Sequence, residues 1–117
     1  MKRGEIWTVA GGGDYTGKAR PVVILQDDRF GATDSVTVCA FTTDPTDAPL
    51  FRILVEPSAL NGLDIPSRAM VDKITTVRKA RIGVRVGHLT DNDVGRLNRA
   101  ILVFLGLASS RRAKAAR

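Results

Sequence analysis

Apolar and polar positions along the first part of the chain recur in short blocks, a pattern typical of β-strands separated by turns. Glu5 to Val9 is a first strand candidate, with Trp7 as its large residue. Residues 20–27, Arg-Pro-Val-Val-Ile-Leu-Gln-Asp, hold four consecutive apolar residues, which predicts a strand buried on both faces. Pro21 lacks an amide hydrogen and fits the start of such a strand, so we expect Arg20 at its entrance with the side chain turned outward.

Three further segments have the alternation of strands. Val36 to Phe41 predicts a third strand, which stops at the polar residues 42–45. Leu50 to Glu56 alternates apolar and polar residues and predicts a half-buried strand. Ser67 to Val77 predicts another, in which Arg68, Met70 and Asp72 share one face, so that an arginine and a carboxylate are expected side by side.

The last third of the chain ends in a helix. Residues 76–82 allow one helical turn, Val84 to Val86 predict a short closing strand, and His88 is expected in a loop. Thr90 and Asp93 form a capping-box-like start to a helix whose apolar residues recur at helical spacing: Val94, Leu97, Ile101, Phe104 and Leu105. The prediction is a mainly β, α+β domain, a small barrel or strongly bent sheet with one amphipathic C-terminal helix.

Composition is consistent with one domain of 117 residues and a reducing, cytoplasmic setting. The single cysteine, Cys39, is expected to be a small buried apolar residue. The N-terminus has no apolar run behind its basic residues, and the longest apolar run, Ile101 to Leu105, is too short to cross a bilayer. Export and membrane insertion are therefore not expected.

The net charge of +6 is concentrated near the C-terminus. Residues 109–117 contain four basic residues and no acid, and without them 14 basic residues face 12 acidic ones, a balance of +2. We expect one folded domain over residues 1–108 and a flexible basic tail after it. Within the domain, residues 68–85 hold six basic side chains against Asp72 alone, which suits phosphate contacts or a solvated basic face.

Several chemistries are excluded by the residues present. Gly12 to Ala19 fits most of a phosphate-binding loop, but Ala19 stands where that loop needs a magnesium-binding hydroxyl, and a strand follows instead of a helix. One histidine, His88, cannot form a two-histidine acid-base pair, and the carboxylates lack metal-ligand spacing. The arginines, threonines and one isolated aspartate that remain favour stabilising negative charge on phosphate. From the pattern alone, Arg20 either serves that chemistry or only solvates a strand end.

Five segments in order resemble the MazF/PemK toxins of bacterial toxin-antitoxin modules. They span residues 2 to about 107 and read Lys-Arg-Gly-Glu-Ile-Trp (2–7), Arg-Pro-Val-Val-Ile-Leu-Gln (20–26), Ala-Phe-Thr-Thr (40–43), Val-Asp-Lys-Ile-Thr-Thr-Val (71–77) and Arg-Ile-Gly-Val-Arg-Val-Gly-His-Leu-Thr (81–90), followed by the helix. The resemblance implies a CcdB/PemK/MazF-like fold related to an SH3-like barrel, a homodimer, and an inhibitory acidic antitoxin of the MazE kind. It also implies a metal-independent, cofactor-free endoribonuclease that cuts single-stranded RNA at short sequences, with Arg20 and Thr42 as catalytic pair.

The resemblance further implies an RNA-binding set on the glycine-rich loop and the fifth strand: Asp14, Tyr15, Lys18, Arg68, Asp72 and Lys73. Two departures from the family pattern bear on it. The loop reads Gly-Gly-Asp-Tyr-Thr-Gly where relatives carry a Gly-Ser-Glu type segment, and Met70 stands where some relatives have an arginine, a role for which Arg68 is the candidate. Two rival hypotheses are a CcdB-like gyrase poison, which needs no catalytic pair, and a plain nucleic-acid-binding barrel, for which a row of stacking aromatics is lacking.

Overall fold

A computed structural model describes residues 1–10 and 19–108 of the chain. Its elements in order are β1 (Glu5–Val9), β2 (Arg20–Ile24), a 3-10 turn (Asp28–Phe30), β3 (Ser35–Thr42), β4 (Arg52–Val55), β5 (Ser67–Arg78), a second 3-10 turn (Lys79–Arg81), β6 (Ile82–His88) and α1 (Asp91–Phe104). Among the described residues no helix is long and apolar enough to cross a membrane.

The six strands form one antiparallel sheet in the order β4-β5-β3-β2-β1-β6. The α+β class with a C-terminal helix is therefore as expected from the sequence. Within the described residues the sheet does not close, because β4 and β6 form its two edges. The expected small barrel is thus an open six-stranded sheet.

The two faces of the sheet carry separate apolar clusters. Cys39, Phe41 and Val23 belong to the larger cluster, which α1 covers with its buried residues Leu97 and Ala100. The smaller cluster lies on the opposite face and consists of Val9, Val22, Ile24, Val36 and Val38. We call this the helix-free face, because no α-helix within residues 1–10 and 19–108 covers it. Because β2 and β3 supply residues to both clusters, their near-continuous apolar runs are explained.

The helix begins where the sequence predicted. Thr90 is its N-cap, and its hydroxyl oxygen accepts a hydrogen bond from the Asp93 backbone N–H at 3.1 Å. At the other end, the Phe104 ring packs against Phe51 with centroids 5.9 Å apart, which ties the last helical turn to the loop before β4. Leu97, only 1% exposed, is the deepest contact of α1 with the sheet.

The β4–β5 connection is organised by Asn61, a polar side chain that is only 4% exposed. Its Oδ1 accepts from the backbone N–H groups of Ser58 (3.0 Å) and Leu63 (2.9 Å), and its Nδ2 donates to the Glu56 carbonyl at 2.8 Å. Gly62 follows with φ +70°, and a Cβ there would lie 2.2 Å from the Val86 carbonyl oxygen. The Asn-Gly turn therefore needs both residues, one for hydrogen bonds and one for close approach.

One expectation about local structure was wrong, and another holds over a shorter range. His88 is the last residue of β6 and not a loop residue, because that strand is longer than the predicted Val84 to Val86. The helical turn allowed at 76–82 is present as the 3-10 turn Lys79–Arg81, since β5 continues through Arg78 in register with Ser35. Long-range pairing with β1 extends β6 beyond what local propensity indicated.

Candidate active site on the helix-free face

Arg20 and Thr42 lie at the same end of the neighbouring strands β2 and β3. The β2–β3 ladder ends with the pair Val22 and Ala40, and Arg20 and Thr42 each lie two residues beyond that pair. Side chains alternate between the two faces along a strand, so Arg20 shares the face of Val22 and Thr42 shares the face of Ala40. Both side chains therefore lie on the helix-free face, as even-numbered residues like Val22 and Val38.

The neighbouring strands set the surroundings of this Arg20–Thr42 pair. Thr42 pairs on its other side with Arg68 of β5, and Arg20 pairs with Val9 of β1. The row of residues at this end of β2, β3 and β5 thus carries two arginines and a threonine. Arg20 is exposed, whereas Thr42 and Arg68 are half-buried. This arrangement supplies two guanidinium groups and a hydroxyl to a negatively charged group lying over the row.

The hydroxyl of Thr42 is oriented by the turn that follows β3. Its Oγ1 accepts a hydrogen bond from the Asp44 backbone N–H at 3.1 Å. Asp44 in turn accepts from the Thr46 backbone N–H at 2.9 Å and from the Thr46 hydroxyl at 2.7 Å. A hydroxyl has one O–H donor and two acceptor lone pairs, so Thr42 retains its donor while the turn fixes the oxygen.

Asp72 is ion-paired with Arg52 of β4, a residue that the sequence analysis did not single out. Arg52 Nε lies 3.2 Å from Asp72 Oδ1, and Arg52 Nη2 lies 3.1 Å from Asp72 Oδ2. The hydrogen bonds from Arg52 hold the pKa of the Asp72 carboxyl below its ordinary value, and Lys73 contributes a smaller lowering. The pKa of Arg52 is correspondingly raised, mainly by the hydrogen bond to Asp72.

The expectation that Arg68 sits beside Asp72 was therefore wrong. The two residues do share the helix-free face, but four residues along a strand separate their Cα atoms by about 13 Å. Arg52 reaches Asp72 from the adjacent strand, where it lies opposite Met70. The alternation of residues 50–56 did assign Arg52 to the polar face of its strand, but the pairing of β4 with β5 was not apparent from it.

The remaining predicted RNA-binding residues divide into two groups. Lys73 is exposed next to Asp72 on β5. Asp14, Tyr15 and Lys18 lie outside the described residues, as does the basic tail of residues 109–117. Cys39 is buried as expected, and burial raises the pKa of its thiol to about 12, so it is not a nucleophile at neutral pH.

Comparison with known proteins agrees with the fold and the residue pattern. Residues 2–105 match the model of a family described as PemK-like, MazF-like toxin of type II toxin-antitoxin system. The chain is 56% identical over 108 residues to a probable endoribonuclease MazF of Mycolicibacterium smegmatis, covering 92% of this chain and 99% of that protein. It is 31% identical over 120 residues to the endoribonuclease MazF of Staphylococcus saprophyticus, covering 98% and 99% respectively.

A solved structure supports the same relationship. An endoribonuclease from a mycobacterial species, in complex with its cognate antitoxin, superposes with a TM-score of 0.76 at 25% identity, covering 92% of this chain and 97% of that one. The resemblance drawn from the five sequence segments is thereby confirmed. The names of these relatives also agree with an enzyme, the expectation preferred above over a gyrase poison.

Proposed function

Since the chain belongs to the PemK-like, MazF-like family of type II toxins, we propose that it is an endoribonuclease toxin that cuts single-stranded RNA at a short sequence without a metal ion. The observation that supports the proposal is that Arg20 and Thr42, two residues beyond the Val22–Ala40 pair of β2 and β3, share the helix-free face at one end of the sheet. The names of the relatives, both endoribonucleases, support the reaction class. The substrate is RNA, including mRNA, in the cytoplasm.

The chemistry we propose is an internal transfer at one phosphodiester. The ribose 2′-oxygen attacks the adjacent phosphorus, and the bond from phosphorus to the 5′-oxygen breaks. The 2′-hydroxyl loses its proton, and the departing 5′-oxygen gains one. The products are a 2′,3′-cyclic phosphate and a 5′-hydroxyl, and no water is consumed in the step.

Arg20 and Thr42 have complementary roles in this step. Negative charge builds on the non-bridging phosphate oxygens, and a planar guanidinium donates to two of them at once. Thr42 adds a hydroxyl donor whose oxygen is held by the Asp44 amide. A guanidinium with a pKa above about 12 is a poor general base near neutral pH, so Arg20 acts by electrostatic stabilisation.

Other residues bind the RNA in this proposal. Arg68, in register with Thr42, and the exposed Lys73 contribute positive charge beside the reacting phosphate, and the loop residues Asp14, Tyr15 and Lys18 complete the binding set. Residues 1–108 form the toxin domain, and residues 109–117 add screened attraction for RNA.

The proposed partners are a second copy of the chain and a cognate antitoxin. The edge strands β4 and β6 and exposed apolar side chains at the end of α1, such as Phe104 at 45% and Leu107 at 71%, leave surface for a homodimer to cover. A MazE-like antitoxin would block the basic RNA surface with an extended acidic segment. Sedimentation of the purified protein as a monomer at micromolar concentration would contradict the dimer.

The test of the proposed function is incubation of the purified protein with a long RNA in the presence of a chelator, followed by sequencing of the new ends. We expect 5′-hydroxyl ends and 2′,3′-cyclic phosphate ends at one short recurring sequence. The function is wrong if the protein arrests growth but leaves RNA intact. The gyrase-poison hypothesis would then take its place, with trapped gyrase–DNA complexes as its readout.

A further inference from the structure

The Arg52–Asp72 pair is a fixed group on the helix-free face that the catalytic step does not use. Two parallel hydrogen bonds of 3.2 and 3.1 Å join the guanidinium and the carboxylate side by side. The side chains are only 15% and 20% exposed, so neighbouring atoms restrict their rotamers. Bidentate contact and partial burial together hold the plane of the Arg52 guanidinium in one orientation.

The pair lies within reach of an RNA bound at the Arg20–Thr42 pair. β2, β3, β5 and β4 are consecutive in the sheet, and Arg52 lies two residues along β4 from Leu54, the partner of Arg68. Three strand spacings across the sheet and two residues along β4 therefore separate Arg20 from Arg52, a distance of roughly 16 Å. Both arginines lie on the helix-free face, because Ile53 and Val55, the residues that alternate with Arg52, belong to the helix-covered cluster. An extended single strand passing over Thr42 and Arg68 reaches Arg52 within a few nucleotides.

The charges around Arg52 favour a neutral ligand over a phosphate. Asp72 neutralises the guanidinium, and the nearby carboxylate of Asp44 also contributes to raising the pKa of Arg52. A phosphate approaching Arg52 meets a guanidinium whose charge Asp72 already balances, whereas Arg68, in register with Thr42, makes no ion pair within the described residues. Directional N–H donors at Arg52 remain useful to a neutral hydrogen-bonding partner such as a base edge.

The donors left on Arg52 form a fork. A guanidinium has five N–H groups, and the contacts with Asp72 use the one on Nε and one on Nη2. The remaining groups, on Nη1 and Nη2, match a base that presents two adjacent acceptors. Guanine does so at O6 and N7, and cytosine does so at N3 and O2, whereas adenine and uracil alternate donors and acceptors along these edges.

We propose that Arg52, aligned by Asp72, determines specificity by reading a cytosine or guanine at one position of the cleavage sequence. This inference rests on the proposed ribonuclease function and adds a residue to it. Bidentate recognition of this kind gives a preference of about 10- to 100-fold over a base with one acceptor in reach. Asp72 acts as a positioning residue, since it holds the Arg52 guanidinium in place and does not itself contact the base.

The experiment is cleavage of a randomised RNA pool, with the ends sequenced, by the parent and by three variants. Arg52→Lys keeps the charge but removes the fork, so the cytosine or guanine preference should fall by about 10- to 100-fold at one position only. The double variant Arg52→Asp with Asp72→Arg rebuilds the ion pair with the guanidinium on β5 instead of β4. Its melting temperature should therefore be close to that of the parent, while the cytosine or guanine preference should be lost. Arg29→Ala is the matched control, because Arg29 makes the same side-on pair with Asp27 outside the sheet.

Four outcomes would overturn the inference. Arg52→Lys could keep the parental base preference, or it could slow cleavage equally at every sequence, which would indicate a phosphate contact. Recovery of the parental base preference by the double variant would show that the ion pair has only a structural role. If the parent itself cuts no RNA, the proposed function fails and this inference with it; that result is distinct from the other three because the Arg29→Ala control then also shows no cleavage.

Discussion

The hydroxyl of Thr42 gives the sharpest test of how the Arg20–Thr42 pair works. Thr42→Val keeps the branched shape suited to a strand. It removes the O–H donor and also the oxygen that accepts the hydrogen bond from the Asp44 backbone N–H. Because Asp44 is exposed, water can accept the hydrogen bond from its amide after the change, so the free energy of unfolding should fall little. Removing one preorganised donor to a transition-state oxyanion lowers a rate by about 100- to 1,000-fold, or about 2.7–4 kcal/mol.

The assay for Thr42 is single-turnover cleavage of a short RNA containing the cleavage sequence, with binding measured separately. We expect the rate of Thr42→Val to fall by roughly 100-fold, while affinity changes far less, because the donor acts on charge that develops only in the transition state. Thr42→Ser keeps the hydroxyl and should recover most of the rate. Thr43→Val is the matched control, since Thr43 is exposed and follows the end of β3. Equal rates for Thr42→Val and Thr43→Val would refute the reasoning.

Three other predictions concern stability and binding. Leu97→Ala, in the buried contact of α1, should cost about 2.5–5 kcal/mol in unfolding free energy by thermal or urea denaturation, whereas Leu102→Ala, at a 43% exposed position of the same helix, should cost much less. Asp72→Asn should lower the free energy of unfolding most at pH values above 3.8, the ordinary aspartate pKa. The reason is that the lowered pKa of Asp72 in the folded state stabilises the fold there, and this stabilisation is lost as the pH falls through the folded-state pKa. Denaturation of parent and variant at pH 3 and pH 7 measures the effect, and an equal difference at both pH values would contradict it. Deleting residues 109–117 should weaken RNA binding mainly at low salt and leave the fold and the cleavage sequence intact, as salt titration and end sequencing would show.

Most of the elements were predictable from the sequence for local reasons, whereas Arg20 and Thr42 became catalytic candidates through the resemblance to the MazF/PemK toxins. The run after Pro21 is apolar on both faces of a strand, which indicates a central strand, and β2 indeed lies between β1 and β3 in the sheet. The capping threonine and the helical spacing after it likewise fixed the start of α1. Such signals depend on neighbouring residues in the chain and need no knowledge of which strands pair.

Pairing between distant strands was the part that the sequence did not reveal. Arg52 and Asp72 are twenty residues apart, and only the β4–β5 register brings them into contact. The extent of β6 was missed because Gly83 and Gly87 weaken its local strand signal. A Cβ at Gly83 would lie 2.4 Å from Thr8 Oγ1, and one at Gly87 would lie 2.4 Å from the Leu60 carbonyl oxygen, so close approach to other segments explains both glycines.

The central claim is that Arg20 stabilises the charge that builds on the scissile phosphate, and the cleavage rate of Arg20→Ala tests it most directly. Single-turnover cleavage of a defined RNA in chelator should be slowed by on the order of 100-fold or more, with a much smaller change in RNA affinity. Arg20→Lys should recover little, because a point charge lacks the two-pronged geometry. Cleavage by Arg20→Ala at the parental rate would contradict the account.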